Sequence, residues 1–403
     1  MTERGKELRG TFFARCQNVE YLPEGDRYIF SGGEPRYRFN VIGCGMIGRE
    51  HMRLTMLEGR GTVHGVYDTN PLSVKSAKQM FARHFEGKKL VEYETLEAAC
   101  NDPEVDGLMI CTPNYTHIEI TREAVKSGKH ILLEKPMAST LQDAHEILRT
   151  ARKYGAVFQI GLQYRHKAIY AEAIHETLVR RAVGDVKTVR TSEHRIPFLD
   201  KVGQWNKFSE YSGGTLVEKC CHYFDLMNLF AGSKPTTVYA TGSMAVNFMD
   251  FEYGKEKSDV IDNAFVTVLY NNGVRAGFEL CMFAPMFYEE VVVCGDEGRL
   301  KAYENEDYLE TGRPSTHLEV LHGEHGPSRI STPCYPAWVQ QSGHHGSTYY
   351  EHKYFIDNIE GKETHSATVD EGFWSVVVGL AAEESLVTGN VVHVDELLEG
   401  LDI

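Results

Sequence analysis

Arg38-Phe39-Asn40-Val41-Ile42-Gly43-Cys44-Gly45-Met46-Ile47-Gly48-Arg49 is the stretch from which the rest of the chain is read. Phe39, Val41 and Ile42 form a short apolar run, as expected of a strand buried on both faces. Gly43, Gly45 and Gly48 follow in the spacing G-x-G-x-x-G, and an amphipathic run leads from Met46 toward Leu57. Glycines so placed suit a tight turn, close approach of backbone to a pyrophosphate and close helix–strand packing, with the helix N-terminus turned to the phosphates. A second predicted strand, Thr62–Val66, ends in Tyr67-Asp68, and Asp68 lies 20 residues past Gly48, where a ribose-binding carboxylate belongs. Gly43, Gly45, Met46, Ile47, Gly48 and Asp68 therefore predict a dinucleotide site.

With 403 residues the chain exceeds the usual size of one domain, so two are expected. The balance of 57 acidic against 42 basic residues gives a net charge of −15, which argues against nucleic acid or an anionic membrane as main partner. Nine cysteines without a C-x-x-C pair read as reduced thiols. The start, M-T-E-R-G-K-E-L-R-G, has no apolar core of a signal peptide, and the longest apolar run, Phe373–Ala382, is too short for a bilayer. A cytoplasmic protein is expected.

Residues 1–37 precede the first strand as an extension, with turn clusters at Pro23–Asp26 and Ser31–Pro35 and a possible hairpin strand at Tyr28–Phe30. Across 38–161 strands and helices alternate, predicting a parallel sheet with helical crossovers. Strands are expected at Leu90–Tyr93, Gly107–Cys111, His130–Leu133 and Val157–Ile160, and helices at Leu72–Phe85, Tyr115–Ser127 and Leu141–Tyr154. Ligands of such sheets bind beyond the carboxyl ends of the strands, which adds Thr112, Pro113, Asn114, His117, Glu134 and Lys135 to the expected cofactor contacts, with Gln163 past the last strand. From 162 to 403 the pattern changes to an α+β domain on a large, mostly antiparallel open sheet. Asn271-Asn272-Gly273 predicts a hairpin turn, Ala168–Arg181 and Gly214–Phe230 read as helices, and Glu304–Gly346 as loop. Helices Ser347–Ile359 and Val369–Leu386 and a strand at Val391–Val394 close the chain.

Lys135 is a cation at a strand end, suited to hold the oxygen of a hydroxyl as it is oxidised. On one continuous helix Glu218, His222 and Asp225 fall at i, i+4 and i+7, and a histidine oriented by a carboxylate makes a good general base. Cys220, Cys221 and His222 point in different helical directions and no matching ligand set is evident, so no metal is expected. Arg165, His166, Trp205 and Lys207 are further candidates for the mouth of the crevice, while His344, His345 and His352 are expected to be solvated or structural.

These segments resemble the glucose–fructose oxidoreductase / inositol dehydrogenase / MocA family. The resemblance rests on G-C-G-M-I-G, Asp68, C-T-P-N-Y-T-H (Cys111–His117), E-K-P (Glu134–Pro136) and G-G-T-L-V-E-K-C-C-H-Y-F-D (Gly213–Asp225), and runs from Arg38 to the C-terminus. It implies an N-terminal Rossmann domain, a C-terminal domain whose open sheet serves homo-oligomerisation to dimer or tetramer, NAD or NADP as cofactor, and a sugar, cyclitol or related polyol as substrate. It also implies Lys135 as substrate-hydroxyl partner and proton relay, His222 as acid/base, and the residue four before it as its carboxylate partner. That partner is commonly aspartate and is Glu218 here; Lys219 and the paired cysteines also depart from the pattern. Arg165, Lys207 and Lys219 could accommodate an acidic sugar. Asp68, with no arginine at Thr69-Asn70, selects NAD. The resulting expectation is an NAD-dependent oxidoreductase of a ring hydroxyl. Two alternatives stay open: an NAD-dependent glycosidase working by oxidation, elimination, water addition and re-reduction on a glycoside, and a nucleotide-sensing regulator.

Overall fold

The structure, a computed structural model, describes residues 35–307, 315–323 and 329–403. The first 34 residues, with the expected hairpin strand at Tyr28–Phe30, lie outside the described residues. The chain divides into two compact units. Of the described residues, one comprises those within 35–134, Thr150–Gly161 and Pro336–Thr368; the other comprises Lys135–Arg149, those within 162–335, and Val369–Ile403.

In the first unit six strands, β1 (Tyr37–Ile42), β2 (Gly61–Tyr67), β3 (Val91–Glu92), β4 (Gly107–Ile110), β5 (His130–Glu134) and β6 (Phe158–Gly161), form a parallel sheet in the order β3-β2-β1-β4-β5-β6. The order reverses between β1 and β4, the place where such sheets bind ligands. β1 is apolar because both faces are covered: Phe39, Val41 and Ile42 are fully buried. The helix Pro71–His84 starts as its sequence dictates, with Pro71 in its first turn and the Asn70 side chain accepting from the Leu72 N–H at 2.9 Å.

The single cut expected near residue 161 does not describe this unit, because Pro336–Thr368 returns to it. Helix Ser347–Ile359 packs on helix Met46–Glu58, and Phe355 meets Phe39 with ring centroids 5.7 Å apart. Arg60 donates to Asp357 at 2.6 Å from an almost fully buried guanidinium. These contacts outweigh chain proximity, and periodicity alone carries no sign of them.

In the second unit the strands are β7 (Val186–His194), β8 (Pro235–Ser243), β9 (Glu252–Tyr253), β10 (Glu256–Lys257), β11 (Asn263–Tyr270), β12 (Arg275–Cys281), β13 (Met286–Gly295), β14 (Gly298–Asp307), β15 (Ser315–His322), β16 (Arg329–Ser331) and β17 (Val392–His393). Nine of them make one sheet, β16-β15-β14-β13-β7-β12-β11-β8-β17, in which only the β7–β12 pair is parallel. The predicted Asn271–Gly273 turn joins β11 to β12, with Gly273 at φ 87°. Helices Cys221–Ala231 and Val369–Thr388 cover one face, onto which Ala264, Val266, Val268 and Tyr270 project.

Two expectations need correction here. The segment read as loop from Glu304 carries the end of β14, all of β15 and β16; Thr316, Leu318 and Val320 alternate inward, a pattern masked by the surrounding Gly, Pro and His. The helix expected over Gly214–Phe230 is broken: Thr215–Glu218 ends, and a new helix begins at Cys221. Among the described residues no helix is long and apolar enough to cross a membrane.

Candidate active site

The glycine loop has the geometry that the sequence requires. Gly43 sits at φ 96°, and a Cβ there would fall 2.6 Å from the Cys111 carbonyl; one on Gly48 would fall 1.9 Å from the Gly43 oxygen. A Cβ on Gly45 would meet nothing within 4 Å, so open space faces this part of the loop. Helix Met46–Glu58 starts at Gly45 with no side-chain cap, which leaves its first N–H groups for an anion. Asp68, at the end of β2, accepts from the Cys44 N–H and the Asn70 N–H, each at 2.7 Å, and is thereby fixed beside the loop. A carboxylate so held keeps lone pairs for ribose hydroxyls. Loop, uncapped helix and carboxylate together fit a dinucleotide.

Past β4, Thr112 and Asn114 lead into helix His117–Ala124. The Thr116 hydroxyl lies 2.8 Å from that of Thr112 and donates to the Pro113 carbonyl at 2.7 Å, and His117 Nε2 lies 3.0 Å from the Thr112 carbonyl oxygen. This turn is therefore braced by its own polar side chains. Met46 is exposed, whereas Asn114 and Glu134 are buried. Glu134, the last residue of β5, is engaged with His51 at 2.7 Å. Lys135 follows it by one peptide bond.

In the second unit Lys135 Nζ donates to the main-chain carbonyl of Glu218 at 2.9 Å and lies 3.9 Å from its carboxylate. Lys201 Nζ donates to that carboxylate at 2.8 Å and sits over the Trp205 ring, 4.4 Å from its centroid. Burial alone would push the Glu218 carboxyl up, but Lys201 and Lys135 outweigh it and hold the group at about 2 against an ordinary 4.5. Glu218 is therefore a permanently ionised anchor for two ammonium groups. His222 is buried, and its imidazole lies on the ring of Tyr164 with centroids 3.9 Å apart and planes within 8°. Tyr164 is fixed in turn by Lys219, whose Nζ is 2.7 Å from the phenol oxygen and 3.0 Å from Glu193.

Reading Glu218, His222 and Asp225 as one helical face is corrected by the break at Lys219 and Cys220. Glu218 pairs with the two lysines, and Asp225 takes Arg165 through contacts of 2.6 and 2.5 Å. Arg165 also reaches Glu371 at 3.0 Å, Lys207 pairs with Asp200 and reaches Gln204 at 2.7 Å, and Lys219 pairs with Glu193. The three cations considered for an acidic sugar are thus neutralised within the protein. Gln163 and His166 are buried with Arg165 in one turn, Gln163–His166, and Trp205 lies beneath Lys201. Sequence reasoning missed Lys201 and Tyr164. Lys201 lies in a stretch without periodicity; Tyr164 stood between two candidates, and an aromatic among polar residues was its one available signal.

Residues 37–162 match the family described as "Oxidoreductase family, NAD-binding Rossmann fold", and residues 176–394 match "Oxidoreductase family, C-terminal alpha/beta domain". The chain is 26% identical over 359 residues to the 1,5-anhydro-D-fructose reductase of Ensifer adhaerens, covering 89% of this chain and 98% of that one. It is 24% identical over 366 residues to the myo-inositol 2-dehydrogenase of Thermotoga maritima, covering 90% and 99%. The fold is that of a levoglucosan dehydrogenase solved with NADH and levoglucosan, at a TM-score of 0.73 and 20% identity over 89% of this chain and 99% of that one. With both halves matched in order, the chain belongs to the glucose–fructose oxidoreductase / inositol dehydrogenase / MocA family and is an NAD-dependent dehydrogenase.

Proposed function

We propose that this dehydrogenase oxidises a secondary ring hydroxyl of a neutral sugar, cyclitol or related polyol. The observation that carries the reading is the grouping of half-buried Lys135 and Lys201 on the buried carboxylate of Glu218, with buried His222 four residues on from Glu218. Lys135, held in place by Glu218, donates to the substrate oxygen and steadies the negative charge that grows on it. His222, flat on Tyr164, takes the hydroxyl proton directly or through Lys135. Bound NAD supplies the acceptor for the hydride leaving the same carbon. Relatives named for anhydrofructose and myo-inositol support a polyol substrate. A neutral one is favoured because Arg165, Lys207 and Lys219 are already paired with carboxylates.

The glycosidase alternative needs a base for the C–H next to a transient ketone. A carboxylate held at about 2 is a weak base, which leaves His222, the other candidate base, for that role. Incubating the protein with NAD and panels of sugars, cyclitols and glycosides decides between the two. NADH in one-to-one ratio with oxidised product, and no solvent deuterium at the neighbouring carbon, is expected. Aglycone release with deuterium incorporation and no NADH would replace this reading by the redox-neutral one.

A homo-oligomer is part of the proposal. On the sheet face opposite the covering helices, Tyr239, Phe265 and Leu269 are exposed, with Tyr239 opposite Thr267 between the other two. A second copy that covers this apolar strip explains it. Light scattering should give a mass of at least two chains, and Phe265→Lys should lower it.

A further inference from the structure

A second polar centre lies wholly within the first unit. The ligand atoms of His51, Glu134 and Glu351 all lie within 4.8 Å of one another, and the three residues are at most 4% exposed. Both carboxylate oxygens of Glu351 are buried without a hydrogen-bond partner among the described residues. A carboxylate in that state is costly unless a cation or a proton meets it.

The hydrogen bonds around His51 show which way this centre faces. The Thr55 hydroxyl makes its shortest contact, 2.8 Å, with the His51 carbonyl; with its proton there, and not on the longer contact to Met109 Sδ at 3.5 Å, it accepts at its 3.3 Å contact with His352 Nδ1. A neutral His352 then carries its proton on Nδ1 and accepts at Nε2. His51 Nδ1, 2.8 Å away, therefore donates to it. That leaves His51 Nε2 as a bare lone pair directed at Glu134 Oε1 at 2.7 Å. Two lone-pair atoms at this distance need something positive between them. A histidine that donates its other N–H to a fixed acceptor is also how protein metal ligands are oriented.

We propose that His51 Nε2, Glu134 and Glu351 form a buried structural site for one divalent transition-metal ion of the Zn²⁺, Mn²⁺ or Fe²⁺ class. One imidazole and two carboxylates suit those ions better than Ca²⁺ or Mg²⁺, which favour all-oxygen shells. With both carboxyls ionised as ligands the pair carries charge −2, which a divalent ion cancels. With bonds of about 2.0–2.2 Å, tetrahedral ligand atoms stand about 3.3–3.6 Å apart, so His51 and Glu134 open from 2.7 Å by roughly 0.6–0.9 Å, and ligand atoms farther apart, up to 4.8 Å, close in on the ion. The ion would tie helix Met46–Glu58, which begins at the glycine loop, to the end of β5 and to helix Ser347–Ile359.

The test is a titration of the full chain, stripped with chelator, with Co²⁺, followed by the visible absorption of a low-symmetry cobalt site; it reads no turnover and so stands apart from the proposed reaction. One Co²⁺ per chain is expected, with at least about tenfold weaker binding in Glu351→Gln and His51→Gln. X-ray absorption of the Zn²⁺-loaded wild type gives a second reading that requires no variant: one imidazole and otherwise oxygen ligands. Absence of stoichiometric binding by the wild type, equal binding by a folded Glu351→Gln, or a shell containing a thiolate or two imidazoles would overturn the site. The first of these would assign a shared proton to the cluster.

Discussion

The imidazole of His222 lies flat on the phenol ring of Tyr164, 3.9 Å between centroids and 8° between planes, while Lys219 holds the hydroxyl of that phenol at 2.7 Å. The proposed acid/base group is thus positioned by an aromatic face. Stacking of this kind is worth about 0.5–1.5 kcal/mol beyond burial, or roughly 2- to 13-fold in a rate that depends on it. Tyr164→Leu should lower kcat by about that much and shift the pH–rate profile, with Tyr164→Phe closer to wild type because the stack remains. Equal kcat and an unchanged profile in Tyr164→Leu would show that the ring only fills space.

Lys135→Met and His222→Ala should each reduce turnover by about a hundredfold or more, the scale of general acid–base catalysis, while NAD affinity measured by fluorescence titration stays near wild type. Normal turnover by Lys135→Met with NAD bound would remove the lysine from the proposed chemistry.

Glu218 predicts an acid sensitivity. Its folded value of about 2 lies below the ordinary 4.5, so its contribution to stability is complete above about pH 5 and lost as pH falls toward 2. At 1.36 kcal/mol per pH unit the difference is at most about 3 kcal/mol. Urea unfolding at pH 7 should find Glu218→Gln less stable than wild type, since Lys201 and Lys135 lose their counter-ion, and the gap should narrow at pH 3. A gap that does not change with pH would assign the loss to packing.

Asp68 should set the preference for NAD over NADP, because its carboxylate, fixed by the Cys44 and Asn70 N–H groups, would accept from a ribose diol and repel a 2′-phosphate. Asp68→Ser is expected to weaken NAD binding and bring the two affinities closer together by about tenfold or more. Calorimetric titration of both cofactors checks this, and tighter NADP binding by the wild type would refute it.

The sequence disclosed what depends on neighbours in the chain. Gly48 is required by the Gly43 carbonyl five residues away, Gly43 by its own positive φ, Asp68 by the end of the next strand, and the Asn271–Gly273 turn by its own dihedral angles. The second sheet was legible as alternating segments, yet β15 was hidden where glycine, proline and histidine surround the alternation. The helix break at Lys219 and Cys220 could not be read, because neither glycine nor proline marks it. The partners of Glu218 and Arg165 follow from that break. The centre at His51 was beyond reach for a plainer reason: His51 and Glu351 stand 300 residues apart.

The return of helix Ser347–Ile359 to β1 and helix Met46–Glu58 has a consequence for biogenesis. A ribosome that has completed β6 must add about 175 further residues before Pro336 emerges, roughly 9–35 s at ordinary elongation rates. Throughout that interval the faces later covered by Phe355 and Ile356 stay open to solvent, and Arg60 waits for Asp357. The nascent nucleotide-binding half is then a client for holdase chaperones, and a stop codon between 161 and 336 should give an aggregating fragment, not a small NAD-binding domain. Co-expressing residues 336–368 in trans should restore part of its solubility.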